Sequence, residues 1–217
     1  MILPIILHHD TSTEYTDLLK HSLGHIDYRV YNSSVNQTQF TESFNRAIQE
    51  NLHTDYEYLM ICNNDINLTA TDVEMLEVAL NGRKGIFSPV VNSPHSGVMS
   101  RQGNDFLREV PWVEFVCPII HRDVIEVVGL LDEEMPKGWG IELDYCYRAK
   151  KAGFNTYLVQ DIAIHHYGHK SQANHGEYSH YANIEMNDRL KEKYGDNWQE
   201  HEGVLRVLPS YSLYKFF

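Results

Sequence analysis

The chain opens on an apolar run, Ile2 to Leu7, with no polar position inside it. An unbroken run of that length is the pattern of a short strand buried on both faces. "STEYTDLLKHSLGHI" follows, with Ser12 or Thr13 as N-cap, Leu18, Leu19 and Leu23 as its apolar positions and Gly24 as its stop, and predicts a helix. "DYRVYN" predicts a second strand. "QTQFTESFNRAIQEN" places Phe40, Phe44, Ala47 and Ile48 on one helical face. Tyr56 to Cys62 reads as a third strand, "TDVEMLEVALNG" as a helix ending at Gly82, and "GIFSPVV" as a fourth strand. This β-α-β-α-β-α-β alternation implies a parallel sheet with helices on both faces.

The rhythm changes after Asn92. "NSPHSGVMSRQGND" is rich in Ser, Gly, Pro and Asn and reads as a long loop, a length that is often functional. "VPWVEFVCPIIH" is β-rich, "RDVIEVVGLLDEE" is a helix that breaks at Gly129, and "MPKGWG" is a turn. A helix is expected from Ile141 to Ala152, ended by Gly153. "NTYLVQDIAIHH" supplies one or two more strands, and Tyr178 to Tyr194 a helical tail. No repeat, low-complexity tract or linker divides the chain, so one domain is the simplest reading.

In open α/β sheets ligands bind at the carboxyl ends of the strands. Here those ends carry His8-His9-Asp10, Asn32-Ser33-Ser34 and Asn63-Asn64-Asp65, three polar clusters in succession. Each alone fits ordinary turn chemistry, because Asn and Asp bond their own backbone in Asx-turns. Together they make a polar ligand rim.

Bulk properties narrow the choice of ligand. The 217 residues suit one α/β domain, and a net charge of −12 argues against non-specific binding to nucleic acid. A phosphorylated ligand would need a metal ion or local donors to offset that charge. Cys62, Cys117 and Cys146 are far apart and lack CxxC spacing, which fits a reducing, cytoplasmic setting rather than a disulfide framework or a zinc knuckle. The N-terminal segment lacks the basic region and cleavage site of a signal peptide, and no run of about 18 apolar residues is present to span a membrane.

Three stretches can carry chemistry. Asp65 follows the third strand, and hard divalent cations take carboxylate oxygens and complete their shell with substrate phosphates. In "KGWGIELDYCYRAKKAGF", Glu142 and Asp144 sit at a helix start, where carboxylates also serve simply as caps. Residues two apart do not share a helix face, so once the helix has begun only one of them can point into a site. Trp139 offers a wall for a sugar or base, and Gly138 and Gly140 let the backbone approach a ligand. "IAIHHYGHKS" brings three histidines within five residues. On an alternating strand, at most one of His165 and His166 faces the Asp65 edge. Lys170 and Ser171 suit phosphate oxygens, or plain solvent.

These stretches, in this order, resemble glycosyltransferase family 2, the large inverting family of the GT-A fold, and especially its rhamnosyltransferase-like and cell-surface polysaccharide members. "YLMICNNDINLT" is similar to the family's apolar strand and the NND form of its DxD motif. "FTESFNRAIQE" is similar to the upstream helix with its asparagine, here Asn45, which the resemblance would put on the nucleotide side. "VIEVVGLLDEE" resembles the segment before the acceptor site. "WGIELDYCYRAKKAGF" resembles the ED-x-D-x-x-x-R helix followed by AG, and "RLKEKYGDNW" the common tail. The likeness covers roughly residues 1 to 198.

The resemblance implies a single-domain GT-A (Rossmann-like) α/β fold with a mixed, mostly parallel sheet and helices on both faces. Residues 1–92 would form a nucleotide-binding half, 93–175 an acceptor and catalytic half, and 176–217 a helical tail. It implies transfer from a nucleoside-diphosphate sugar, UDP being favoured, to a hydroxyl of a glycan or cell-surface polysaccharide, with Mn²⁺ or Mg²⁺. Asp65 would bind the metal, with His165 as second ligand and His166 as the alternative. His8, His9 and Asp10 would line the base pocket. Asn32 falls where the family often has a nucleoside-reading aspartate. Asn63 would touch the ribose or a metal-bound water, and Asn64 would support the turn. Glu142 falls on the catalytic base, Asp144 on the later acidic residue, and Arg148 on the arginine of the same helix, which with Trp139 and Gly140 would face the acceptor and sugar. The sequence departs from the family at Ile141, which replaces the first acid of the pair, at Glu142, which replaces aspartate, and at Cys117-Pro118, which replace Gly-Ala.

Two other readings are carried forward. The departures around Ile141, Glu142 and Pro118 fit a GT-A module that binds a nucleotide or glycan without turnover. A nucleotidyltransferase would need a Gly-rich, basic loop after the first strand, and "HHDTST" has neither glycine nor lysine. The aromatic tail "PSYSLYKFF" reads as a partner contact, in an oligomer for example, or as a flap over the site.

Overall fold

A computed structural model of the chain describes residues 1–8, 13–33, 39–91, 101–167 and 175–198, with backbone alone over 175–179. β1 (Ile2–His8) is buried at all seven positions, as its unbroken apolar run requires. α1 (Thr13–Leu23) buries Thr16, Leu19 and Leu23 along one stripe and leads to β2 (Arg29–Asn32). α2 (Phe40–Asn51) turns Phe44, Ala47 and Ile48 inward and leads to β3 (Tyr58–Asn63). After a two-residue bend comes the short β4 (Ile66–Asn67). α3 (Ala70–Leu80) starts in a reciprocal capping box between Thr69 and Asp72 and ends at Asn81, whose φ of 42° closes the helix in the left-handed region. The chain continues through β5 (Gly85–Val91), β6 (Leu107–Val110), β7 (Ile119–His121), α4 (Arg122–Val128), α5 (Ile141–Lys151), β8 (Asn155–His166) and α6 (His175–Tyr194).

The sheet runs β2-β1-β3-β7-β5-β8-β4, with β6 also pairing β8. β1 is parallel to β2 and β3, β5 is parallel to β8, and β7 is antiparallel to both β3 and β5. Five of the eight strands, β1, β2, β3, β5 and β8, therefore point the same way. The sheet is mixed and mostly parallel, where strand-helix alternation alone implied a parallel one. The reason is β7, a three-residue strand that inserts against the grain between two long ones. The chain steps from β1 outward to β2 and then back across to β3. Right-handed crossovers in opposite directions put α1 and α2 on opposite faces.

Two local expectations are refined. Of "VPWVEFVCPIIH", only Val110, the last residue of β6, and Ile119–His121 are strand, although β3 goes on donating to the segment before β7 through Ile61 N to Pro118 O (3.0 Å) and Asn63 N to Val116 O (2.9 Å). "NTYLVQDIAIHH" is one strand, not two. Its register on β5 jumps from Pro89↔Val159 to Val90↔Ala163, so residues 160–162 bulge. Gln160 fills the bulge, accepting from Gln102 N (2.7 Å) and Arg108 Nε (3.2 Å).

One continuous apolar core joins the layers, with Trp112, Tyr58, Tyr145, Phe44 and Phe87 fully buried within it. Burying a side chain of this size contributes roughly 2–3 kcal/mol. Among the described residues no helix is long and apolar enough to cross a membrane.

Candidate active site

The shared strand direction puts His8, Asn32, Asn63 and His166 at one edge of the sheet, the edge at which such sheets bind ligands. The rim is knitted together by short polar contacts. The Ser33 hydroxyl donates to His8 O at 3.0 Å, tying the ends of β2 and β1. His8 Nδ1 lies 2.7 Å from Thr16 Oγ1, and the Asn64 amide donates to the same oxygen at 2.9 Å. Thr16 thus holds β1 and the turn after β3 in one arrangement. Sequence reading did not single it out. Its one signal is a threonine in register with Leu19 and Leu23 on the buried stripe of α1.

Asp65 lies in the bend between β3 and β4 and is buried. Its Oδ1 is 3.1 Å from His166 Nε2. Tyr167 N donates to Asp65 O at 2.9 Å, and β4 pairs the end of β8 through Ile66↔His166 and Asn67↔His165, so the turn is fastened to β8 over a long sequence separation. His165 faces the other way. It is exposed, its backbone N–H bonds Asn67 Oδ1, and its ring meets Tyr167 edge-on at 4.8 Å. Of the two histidines proposed for the metal, His166 is the one brought to Asp65. A carboxylate oxygen and an imidazole nitrogen at a strand-end rim are a donor set that suits Mn²⁺ or Mg²⁺ with phosphate and water in the remaining positions. Among the described residues no third His, Cys, Asp or Glu joins them.

α5 runs into β8 after a short turn and packs on that strand. Gly140 caps it with φ 80°, and the helix then carries Glu142 and Asp144 in its first turn. Both are buried, and their environments differ sharply. Asp144 accepts from Arg148 Nε at 2.8 Å and from the Tyr194 hydroxyl at 2.6 Å, and is also ion-paired with Lys193. Among the described residues no cation pairs with Glu142. Burial pushes its carboxyl up to about 7, backbone N–H groups partly oppose the rise, and the charge of Glu114 adds to it. The pair that sequence left undivided is separated by its surroundings: one fully committed carboxylate and one poised to exchange a proton near neutrality.

The other residues of the region are mostly spent on architecture. Arg148, expected near the acceptor, bonds Asp144 and the carbonyls of Val128 (2.8 Å) and Leu130 (2.9 Å). Asn45, expected near the nucleotide, holds the same loop. Its amide donates to Leu131 O (3.0 Å) and Glu133 Oε1 (2.9 Å), and its oxygen accepts from Leu131 N (2.9 Å). A Cβ on Gly138 would collide with Phe40, and one on Gly140 with Met186 of α6, so protein occupies the space that the two glycines leave. Trp139 is half-buried against the core. Asp132 bonds Arg189 (2.9 Å) and Lys193 (2.8 Å), fastening α6 to the loop before α5. Burial alone would raise the Asp132 carboxyl, but these cations and the Glu134 N–H bring it down to about 2. His9, Asp10, Lys170 and Ser171 lie outside the described residues.

No family model matches the chain. Uncharacterized proteins of Mycobacterium tuberculosis and Mycobacterium bovis are 28% identical to it over 167 residues, which is 70% of this chain and 63% of theirs. The match thus spans less than two thirds of those relatives' length. Among solved structures, GalNAc-T7 with UDP, GalNAc and Mn²⁺ superposes with a TM-score of 0.60 at 10% identity, over 76% of this chain and 43% of that one. Staphylococcus aureus TarS 1-349 in complex with UDP-GlcNAc gives 0.51 at 9% identity, over 91% and 69%. A197 from STIV gives 0.52 at 15% identity, over 78% and 86%. The fold is the GT-A fold of glycosyltransferases, with its mixed, mostly parallel sheet.

Proposed function

We propose that the chain is a metal-dependent, inverting glycosyltransferase, moving a sugar from a nucleoside-diphosphate sugar to an acceptor hydroxyl of a glycan or cell-surface polysaccharide. The observation that carries this reading is the Asp65–His166 pair, a hard-cation donor set 3.1 Å across at the ligand edge of the sheet. The family 2 resemblance supports it. So do the neighbouring folds solved with UDP and Mn²⁺ or with UDP-GlcNAc, which favour UDP as the nucleotide.

In this reading Asp65 and His166 would hold Mn²⁺ or Mg²⁺ beside the donor's phosphates. A divalent cation there supplies positive charge to the leaving diphosphate and screens it from a chain of net charge −12. His8, Asn32 and Asn63 flank the nucleoside. Thr16 and Asn64 keep the turn that carries Asp65 in place. Trp139 walls the sugar. Glu142, ionised above about pH 7, takes the proton of the acceptor hydroxyl as that oxygen attacks the anomeric carbon. Attack opposite the leaving group inverts the configuration in one displacement. Asp144 and Arg148 fix the helix that aims Glu142.

The test is a panel of UDP-, GDP- and dTDP-sugars with Mn²⁺, read as release of nucleoside diphosphate. Release from one donor, stopped by a chelator, is the expected result. Binding without release from every donor, across several acceptors, would leave a nucleotide- or glycan-binding module instead.

A further inference from the structure

The chain holds three free cysteines, all buried, and two of them touch: Cys62 Sγ and Cys117 Sγ are 3.5 Å apart. The contact is built into the sheet. β3 pairs β7 in antiparallel register through Leu59↔Ile120 and Met60↔Ile119, and the same register continued places Cys62 directly opposite Cys117. The flanking hydrogen bonds, from Ile61 N to Pro118 O and from Asn63 N to Val116 O, make this a non-hydrogen-bonded position of the ladder. At such positions facing Cα atoms come to about 4.5 Å, which lies inside the range that a disulfide spans. Closing a bond requires the sulfurs to approach by about 1.5 Å. Cys146 is placed differently, on α5 against Thr156 and the Val113 backbone.

We propose that Cys62 and Cys117 are an oxidation site, a dithiol that a small peroxide converts to a reversible cross-strand disulfide. One thiolate attacks the peroxide oxygen. An S–O bond forms, the O–O bond breaks, and the displaced oxygen leaves as water, giving a sulfenic acid. The facing sulfur then attacks the sulfenic sulfur, the S–S bond forms, and the S–O bond breaks. The departing hydroxide takes the remaining thiol proton as a second water. Two thiols are oxidised and one hydrogen peroxide is reduced to two waters. Both sulfurs are fully buried, which selects an oxidant close to water in size over a bulky disulfide. The contact with Cys117 and burial push the Cys62 thiol well up, so Cys62 rests as a thiol and reacts slowly at neutral pH. The site lies just before Asn63-Asn64-Asp65, yet its chemistry is independent of the glycosyltransferase reading.

The experiment uses the reduced full chain and no donor. The chain is treated with hydrogen peroxide, quenched, unfolded with N-ethylmaleimide and weighed intact. Reduced protein takes three labels, one per cysteine. After peroxide the expected loss is two labels, with Cys62 joined to Cys117 in the peptide map and three labels restored by dithiothreitol. Three labels persisting after prolonged exposure overturn the proposal. So does a bond that involves Cys146 or a second chain, or oxygen added to cysteine without a crosslink. A Cys117→Ser variant is expected to form no crosslink. The wild-type result stands whether or not that variant folds.

Discussion

His166 Nε2 stands 3.1 Å from Asp65 Oδ1, while His165, one residue back, is turned to solvent. The two histidines are therefore predicted to differ. Asp65→Ala and His166→Ala should each weaken Mn²⁺-dependent UDP binding by at least about tenfold, on the scale seen for groups that set metal affinity. His165→Ala should leave it nearly unchanged. Calorimetry with and without Mn²⁺ reads all three, and equal losses at 165 and 166 would contradict the site.

Glu142 gives a pH prediction. Its carboxyl sits at about 7 against an ordinary 4.5. As a base it must be ionised, so kcat/KM should rise with pH and reach half its plateau near pH 7. Glu142→Gln should abolish nucleoside diphosphate release while leaving UDP binding intact.

The same shift predicts an opposite effect on stability. A carboxyl raised in the folded state favours folding while it is protonated. That contribution is complete below pH 4.5 and is lost as pH rises through about 7. Above that the folded chain carries a buried charge costing up to about 3 kcal/mol. Glu142→Gln removes the charge, so its Tm should exceed that of the wild type at pH 8 and approach it at pH 5. Thermal melts at the two pH values measure the difference.

Asp144 should behave as a structural residue. Asp144→Ala removes the buried carboxylate that Arg148, Lys193 and the Tyr194 hydroxyl share. Breaking one partner of a buried ion pair costs about 3–5 kcal/mol. Urea unfolding should show that loss, while the folded fraction still binds UDP. A variant as stable as the wild type but unable to bind UDP would reverse the assignment.

Gly140→Ala combines a φ of 80° with a methyl aimed at Met186. Left-handed strain and overpacking together predict a loss of about 2–4 kcal/mol. A second change, Met186→Ala, should recover part of it. That recovery, measured in denaturant, would separate packing from backbone strain.

What was readable in the sequence follows from which forces act locally. "ILPIILH" and "YLMICN" announce buried strands because every position before the closing His8 and Asn63 is apolar. β7 was not readable as an inserted antiparallel strand, because three residues hold no periodicity and its direction is set by partners distant in sequence. Strand alternation showed that only one of His165 and His166 could face Asp65. Which one depends on the pairing of β4 with β8, a tertiary fact. Spacing also allowed either Glu142 or Asp144 as the base. Lys193 and Tyr194, far along the chain on α6, distinguish them.

The reversed strand β7 has one more effect. Because it runs against its neighbours, its beginning, not its end, lies at the ligand edge. The irregular stretch ahead of it is thereby delivered to the rim, and Glu114 arrives within electrostatic reach of Glu142. The site thus draws on the exits of the forward strands and the entrance of one backward strand. Insertions or substitutions between β6 and β7 can remodel that side of the rim while the forward strand ends keep their register.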